Sequence, residues 1–294
     1  MIDYDMLKNW RFDDVEHRYD ADDSMLYALG LGLGADPMDE RQLRFVDDTN
    51  DGMPLALPTQ AVILGWPGSW MRDPRTGIDF SMIVHGEERV VWHRPIPAAG
   101  TVVARHRIAK VVDKGEGRGA IVVYDKELVD KASGAALATI THTTFCRGNG
   151  GFSAATGRTD KADAAPPPVP ARAPDIACEM ATLPQQALLY RLSADRNPLH
   201  SNPEAARRAG FERPILHGLC TWGIAGHALL AQCCDYEPSR LAQMYARFSS
   251  PVYPGESLRF EIWREGGQGE FAFRAKAIGR DKIVLDHGRA SVRA

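Results

Sequence analysis

A carboxylate, an amide and an imidazole stand within six residues at Asp195, Asn197 and His200, in the run YRLSADRNPLH from Tyr190 to His200. A carboxylate beside an imidazole is equipment for moving protons near neutral pH. Asn197-Pro198 is a turn signal, and the residue before a proline is pushed out of the helical region. The segment from Asp195 to His200 is therefore expected as a bent loop that turns the acid and the imidazole toward each other. Downstream, Gly218 opens an apolar stretch whose helix start would present unpaired N–H groups to negative charge. Spacing alone fits an ordinary turn equally well, since Asp and Asn close turns and a histidine can be a packed core residue.

The elements that must hold these groups are legible in outline. Ile215 to Cys234 is apolar with no internal proline and is expected to be a long helix. Strands are expected at Arg89–Ile96, Thr101–Val112, Ala120–Val129 and Ala135–Cys146, with a hairpin at Gly115–Gly119. A second set is expected at Ile176–Met180, Leu241–Ser249, Ser257–Glu265, Glu270–Ile278 and Lys282–Val292. Gln42–Val46 reads as a short strand, Glu204–Ala209 as a short helix, and Asp20 as the start of a helix ending in the glycines at 30, 32 and 34. No strand precedes those glycines and no Lys-Ser/Thr follows, so they are not read as a phosphate loop.

Pro58 and Pro214, and likewise Pro95 and Pro251, are separated by the same 156 residues, which indicates two related halves. The halves are placed at 1–147 and 176–294, joined by a Pro/Gly/Ala-rich linker at 148–175. The first half has Asp36-Pro37-Met38-Asp39 near the place of the motif and no histidine there, and so is read as catalytically empty. Its own helix begins after Pro58 but meets Pro67 and Gly68. Proline inside a helix costs about 3 kcal/mol, so that helix is expected to be short or missing.

The motif resembles the signature of the hydratase 2 / MaoC-like dehydratase family, matching it at Tyr190, Leu192, Ser193, Asp195, Asn197, Pro198, Leu199 and His200. The segments Pro214–Gly218 and Arg247–Gly255 are also similar to family segments. One departure stands inside the motif. Ala194 replaces a glycine, and the local backbone must tolerate a side chain. The resemblance implies an α+β double hot-dog fold, like the hydratase part of peroxisomal multifunctional enzymes. It implies reversible hydration of trans-2-enoyl-CoA to (R)-3-hydroxyacyl-CoA, a hydro-lyase reaction. Asp195 and His200 would be the acid–base pair, Gly218 the backbone oxyanion donor and Asn197 a support. Val62, Ile63, Leu64, Trp66 and His217 would contact substrate, the first four lining the space left by the missing helix. No cofactor is expected, because the substrate itself carries coenzyme A. The alternatives are a thioesterase on the same fold and an acyl-CoA-binding protein without catalysis.

Composition narrows the remaining classes. The formal charge of -3 over 294 residues offers no field for nucleic acid, and no apolar run approaches a membrane span. The N-terminus lacks a signal-peptide pattern, the C-terminus is not a peroxisomal address, and five cysteines show no paired spacing. A cytoplasmic protein with reduced thiols, assembled as a homodimer, is expected. The His and Cys residues have no zinc-type spacing, so no metal is expected; Cys220 at a helix start is weighed as a nucleophile and set behind a packing role.

Overall fold

The computed structural model describes residues 1–49, 52–164 and 166–294. Ten strands form one antiparallel sheet: β1 (Val15–Tyr19), β2 (Ile83–Trp92), β3 (Gly100–Asp113), β4 (Ala120–Asp130), β5 (Ala136–Cys146), β6 (Ile176–Ala181), β7 (Leu241–Phe248), β8 (Ser257–Arg264), β9 (Glu270–Ala277) and β10 (Lys282–Val292). Their order is β1-β3-β4-β5-β2-β7-β10-β9-β8-β6, two five-stranded halves joined edge to edge where β2 pairs with β7. The pairing centres on Arg89 opposite Tyr245, the two strands standing at the repeat offset. This is the double hot-dog arrangement, with the internal edges of both halves covered by each other.

Six α-helices accompany the sheet among the described residues: α1 (Tyr4–Lys8), α2 (Ala21–Leu29), α3 (Glu40–Leu43), α4 (Gln186–Ser193), α5 (Pro203–Arg208) and α6 (Gly218–Cys233). Helix α6 is the long expected one, and every residue from Cys220 to Leu230 is buried. A helix apolar on all sides must be covered on all sides, and here the second half's sheet and the first half's turns do this. A side-chain carbon added at Gly226 would meet Thr59 Cγ2 at 2.4 Å, so glycine lets the first half's chain cross α6 closely.

The first half's counterpart of α6 is cut short. Pro58–Val62 forms one 3-10 segment, and the chain then turns away through Gly65 and Gly68, both at positive φ. The orphan carbonyls of this truncated helix are taken by one buried cation. Lys126 Nζ on β4 donates to Ala61, Val62 and Leu64 at 2.9, 2.9 and 2.7 Å. Burial pulls the Lys126 pKa down to about 8 while the charge of Glu88 resists. Trp92 Nε1 donates to the Pro58 carbonyl at 2.8 Å and fixes the start of the segment.

Four expectations need amendment. The strand expected at Arg89–Ile96 begins six residues earlier and runs Ile83–Trp92 as β2. Gln42–Val46 is not a strand. Asp39 caps α3 by accepting from Arg41 N, and Gln42 Oε1 accepts from Gly34 N, so local polar bonds fold the segment as a helical turn. The edge strand β1 and helix α4 were not anticipated; β1 shows only five residues of partial alternation, and α4 lies inside the motif region. Among its described residues, segment 148–175 carries no regular element but is pinned at several points. Asp160 accepts from Tyr4, Lys8 and the Val111 amide, Phe152 is buried, and the Pro166 and Arg172 carbonyls meet His287 and Trp263.

Candidate active site

The motif folds as a bent loop between α4 and α5. Asp195 Oδ1 accepts from the Asn197 amide at 2.8 Å, and Asn197 Oδ1 accepts from the Leu199 amide at 3.0 Å. These two side-chain turns bend the backbone, with Asn197 extended before its proline as required. Pro198–His200 then makes one 3-10 turn that delivers the His200 ring inward. Ala194, at the family's glycine position, ends α4 at φ -140° and ψ -117°, outside the left-handed region.

His200 is buried, and its Nδ1 donates to the Ile215 carbonyl at 2.8 Å. That bond leaves the lone pair on Nε2, which stands 4.0 Å from Asp195 Oδ2. The gap is too long for a direct hydrogen bond, yet one water about 2.8 Å from each atom would bridge it. The Asp195 carboxylate is about half exposed, so the pair sits with the imidazole inside and the acid at the opening. Burial lowers the His200 pKa, against the Ile215 carbonyl and the Asp195 charge, which raise it; the ring is a neutral base.

His217 holds this arrangement from below. Its Nε2 donates to the Asp195 carbonyl at 2.8 Å, and its ring stacks on that of His200 with centroids 3.7 Å apart. It is 3% exposed, and burial, followed by the charge of His200, pushes its pKa down to about 3. Asp195, His200 and His217 each offer a ligand atom within 4.8 Å of the others, but two of the four imidazole nitrogens are committed to carbonyls.

Gly218 is the first residue of α6, directly after His217, and its N–H has no protein acceptor among the described residues. A carbon added at Gly218 would stand 3.2 Å from the ring of Phe248, so glycine serves close packing as well as an open N–H. Cys220 is fully buried, its pKa is raised well above the ordinary thiol by burial, and its Sγ donates to the Gly30 carbonyl. A thiol held that way is a packed residue and not a nucleophile. All five cysteines are free.

Leu219, the residue after Gly218, is one wall of a cavity of about 70 Å³. Val62 and Trp66 line it, as expected, together with Pro67 and Ile140. Ile63 and Leu64 do not line it: Leu64 is in the core and Ile63 packs against it. Glu88, His106, Tyr124, Lys126 and His142 make up the rest of the wall, a polar set that the sequence pattern did not single out. Alternation along β2, β3, β4 and β5 marks these positions as inward-facing, the one signal the sequence carries for them.

The buried histidines make stability depend on pH. Burial lowers the pKa of His85, His106 and His227 to about 4 each, and that of His217 further. The unfolded chain binds these protons near pH 6.5 and the folded chain does not, so the stabilisation is present above that pH and lost as pH falls toward 4. Urea midpoints should fall steeply between pH 6.5 and 4; a flat profile over that window would refute the assignment of neutral buried rings.

Residues 17–148 match the MFE-2 hydratase 2 N-terminal domain, and residues 166–284 match the MaoC like domain. The 3-hydroxyacyl-thioester dehydratase Y of Mycobacterium tuberculosis is 40% identical over 272 residues, 90% of each chain. The peroxisomal enoyl-CoA hydratase 2 of Arabidopsis thaliana is 36% identical over 291 residues, 96% of this chain and 93% of that one. A crystal structure of a MaoC-like dehydratase from Phytophthora capsici superposes with a TM-score of 0.85 at 31% identity, covering 99% of both chains. No helix among the described residues is long and apolar enough to cross a membrane. With its paired domains, its double hot-dog sheet and relatives named as hydratases and dehydratases along nearly its whole length, the chain belongs to the MaoC-like, hydratase 2 family of hydro-lyases acting on enoyl-CoA.

Proposed function

We propose that this chain adds water reversibly to trans-2-enoyl-CoA esters and forms the (R)-3-hydroxyacyl-CoA, using Asp195, His200 and the Gly218 amide. The reading is carried by one observation: a buried neutral imidazole with its lone pair 4.0 Å from a carboxylate, next to an uncapped helix start. Water is a weak nucleophile, so a base must take its proton as the oxygen bonds to C3. His200 Nε2 is that base, and Asp195 Oδ2 accepts the water's second hydrogen bond and orients it. The electron pair of the C2–C3 double bond moves toward the thioester carbonyl, whose oxygen gains charge. The Gly218 N–H stabilises that oxygen, aided by the positive end of α6. The imidazolium then returns the proton to C2, so that one water has been added and the base is regenerated. His217 supports both groups from behind, and Asn197 holds the loop. No cofactor takes part in these steps.

Coenzyme A is anionic, and a chain of formal charge -3 needs local cations to hold it. Arg196 and Arg207, exposed on the motif loop and on α5, have no carboxylate partner in the ion pairs of the described residues. We assign the diphosphate end of coenzyme A to this rim. The acyl chain runs the other way, along Val62, Trp66 and Leu219. The chain is taken to work in the cytoplasm as a homodimer, which fractionation and sedimentation check.

The decisive assay follows enoyl absorbance and free thiol together, with crotonyl-CoA and trans-2-decenoyl-CoA, and determines the configuration of the product. Loss of absorbance without thiol release, an (R) alcohol, and a higher kcat/KM for the ten-carbon ester are expected. Thiol release would mean a thioesterase, and no change in either signal would mean a binding protein.

A further inference from the structure

The inner face of the first half's sheet carries a polar cluster where the truncated helix falls short. Glu88 on β2, His142 on β5 and Tyr124 on β4 are direct neighbours across three strands. A β-bulge between His85 and Glu87 turns His85 to the same side. There His85 Nε2 and His142 Nδ1 both lie 2.9 Å from Glu88 Oε2. The other half makes an instructive contrast. The repeat offset of 156 equates Glu88 with Met244 and His85 with Leu241, both fully buried. Met244 Sδ lies 3.7 Å from the point where a side chain on Gly226 of α6 would begin. Where a helix covers the sheet, the position is apolar; where the helix is missing, it holds a carboxylate and two imidazoles. A buried carboxylate is costly to desolvate, and packing alone does not call for one at a site where methionine serves.

The cluster also keeps hydrogen-bonding capacity in reserve. Lys126 is saturated, because its three N–H groups go to three carbonyls. Glu88 uses Oε2 alone. Its Oε1, the Tyr124 hydroxyl and His142 Nε2 have no protein partner among the described residues, and all three residues line the cavity that Leu219 also lines. Phe248 connects this cluster to the reacting end. Its ring packs against Gly218 and lies 4.4 Å from the ring of His85. Burial alone would raise the Glu88 carboxyl, but the two imidazoles bonded to it, His142 foremost, hold it down to about 2, so it is an anion. An anion repels a carboxylate on the ligand, and a plain alkyl chain would leave its second oxygen, Oε1, without a partner. What fits an acceptor beside a phenol is a group that both donates and accepts.

We propose that Glu88, Tyr124 and His142 form a recognition site for a hydroxyl group on the acyl chain, beyond the reacting carbons, donating to Glu88 and accepting from Tyr124. This assignment rests on the hydratase reading above. It makes the enzyme selective for hydroxylated enoyl-CoA esters over alkyl ones of the same length.

The test is a series of trans-2-enoyl-CoA esters of about six to twelve carbons, each with and without a terminal hydroxyl. The readout is the kcat/KM ratio, hydroxylated over plain, taken within each protein so that a general loss of activity cancels. At the length that reaches the cluster the wild type should favour the hydroxylated ester by at least about tenfold. The ratio should fall toward one in Glu88→Met, which copies the other half, and in Tyr124→Phe, which removes one oxygen and leaves packing intact. A wild-type ratio near one at every length, or a ratio that survives both substitutions, would overturn the proposal. Failure of the wild type to hydrate even crotonyl-CoA would overturn the hydratase reading instead. The same ratio is then read by calorimetry from the binding of saturated CoA esters with and without the hydroxyl, and it decides the cavity's role by itself.

Discussion

Asp195→Asn and His200→Gln should each lower kcat for enoyl hydration by at least ~10²-fold, the usual scale for losing a general acid or base. Both variants should fold. Asp195 is about half exposed, and its loop-closing bond to the Asn197 amide uses an oxygen that asparagine retains. His200 donates to the Ile215 carbonyl, a bond that a glutamine amide can replace. The His200 change removes the lone pair facing the water, while the Asp195 change removes the charge that orients it. Near wild-type turnover in either, with urea midpoints unchanged, would remove that residue from the chemistry.

Gly218→Val should cost about 3–4 kcal/mol of transition-state stabilisation, roughly 10²–10³-fold in kcat, as expected for losing one oxyanion donor. The branched side chain would stand over the N–H that the thioester oxygen must reach. It would also press on Phe248, whose ring is already 3.2 Å from the first added carbon. The two causes separate in the double variant Gly218→Val with Phe248→Ala, which removes the clash and leaves the N–H obstructed. Activity should stay low there. Its recovery would show that packing and not the oxyanion contact fixes glycine at this position.

The legible parts of the molecule were those with strong local grammar. Ile215 to Cys234 has no proline and is apolar on every side, so α6 could be read directly, with its first residue at Gly218. The β-branched runs gave eight of the strands within a few residues, because hairpin turns such as Gly115–Gly119 fix their ends. The break after Val62 followed from Pro67 and Gly68. What escaped was determined by distant partners. Gln42–Val46 has strand-like residues, but its polar groups bond within the segment and to Gly34. His217 was assigned to the substrate, and only the folded chain reveals its grip on the Asp195 carbonyl and its stacking on His200. Glu88, Tyr124, Lys126 and His142 lie on different strands, and their meeting depends on register, which no local pattern carries. The space left by the missing helix was foreseen as apolar; the sheet beneath it supplies polar groups, and Lys126 is drawn in to satisfy the carbonyls that the truncation exposes.

The most direct measurement is a double-mutant cycle on hydration of trans-2-decenoyl-CoA, comparing wild type, Asp195→Asn, His200→Gln and the double variant. If both residues act on one water, the first substitution already disables the unit and the second adds little, so the double variant should lose no more than about tenfold beyond the worse single. A loss equal to the product of the two single losses would contradict a shared water and separate Asp195 from His200 in the reaction.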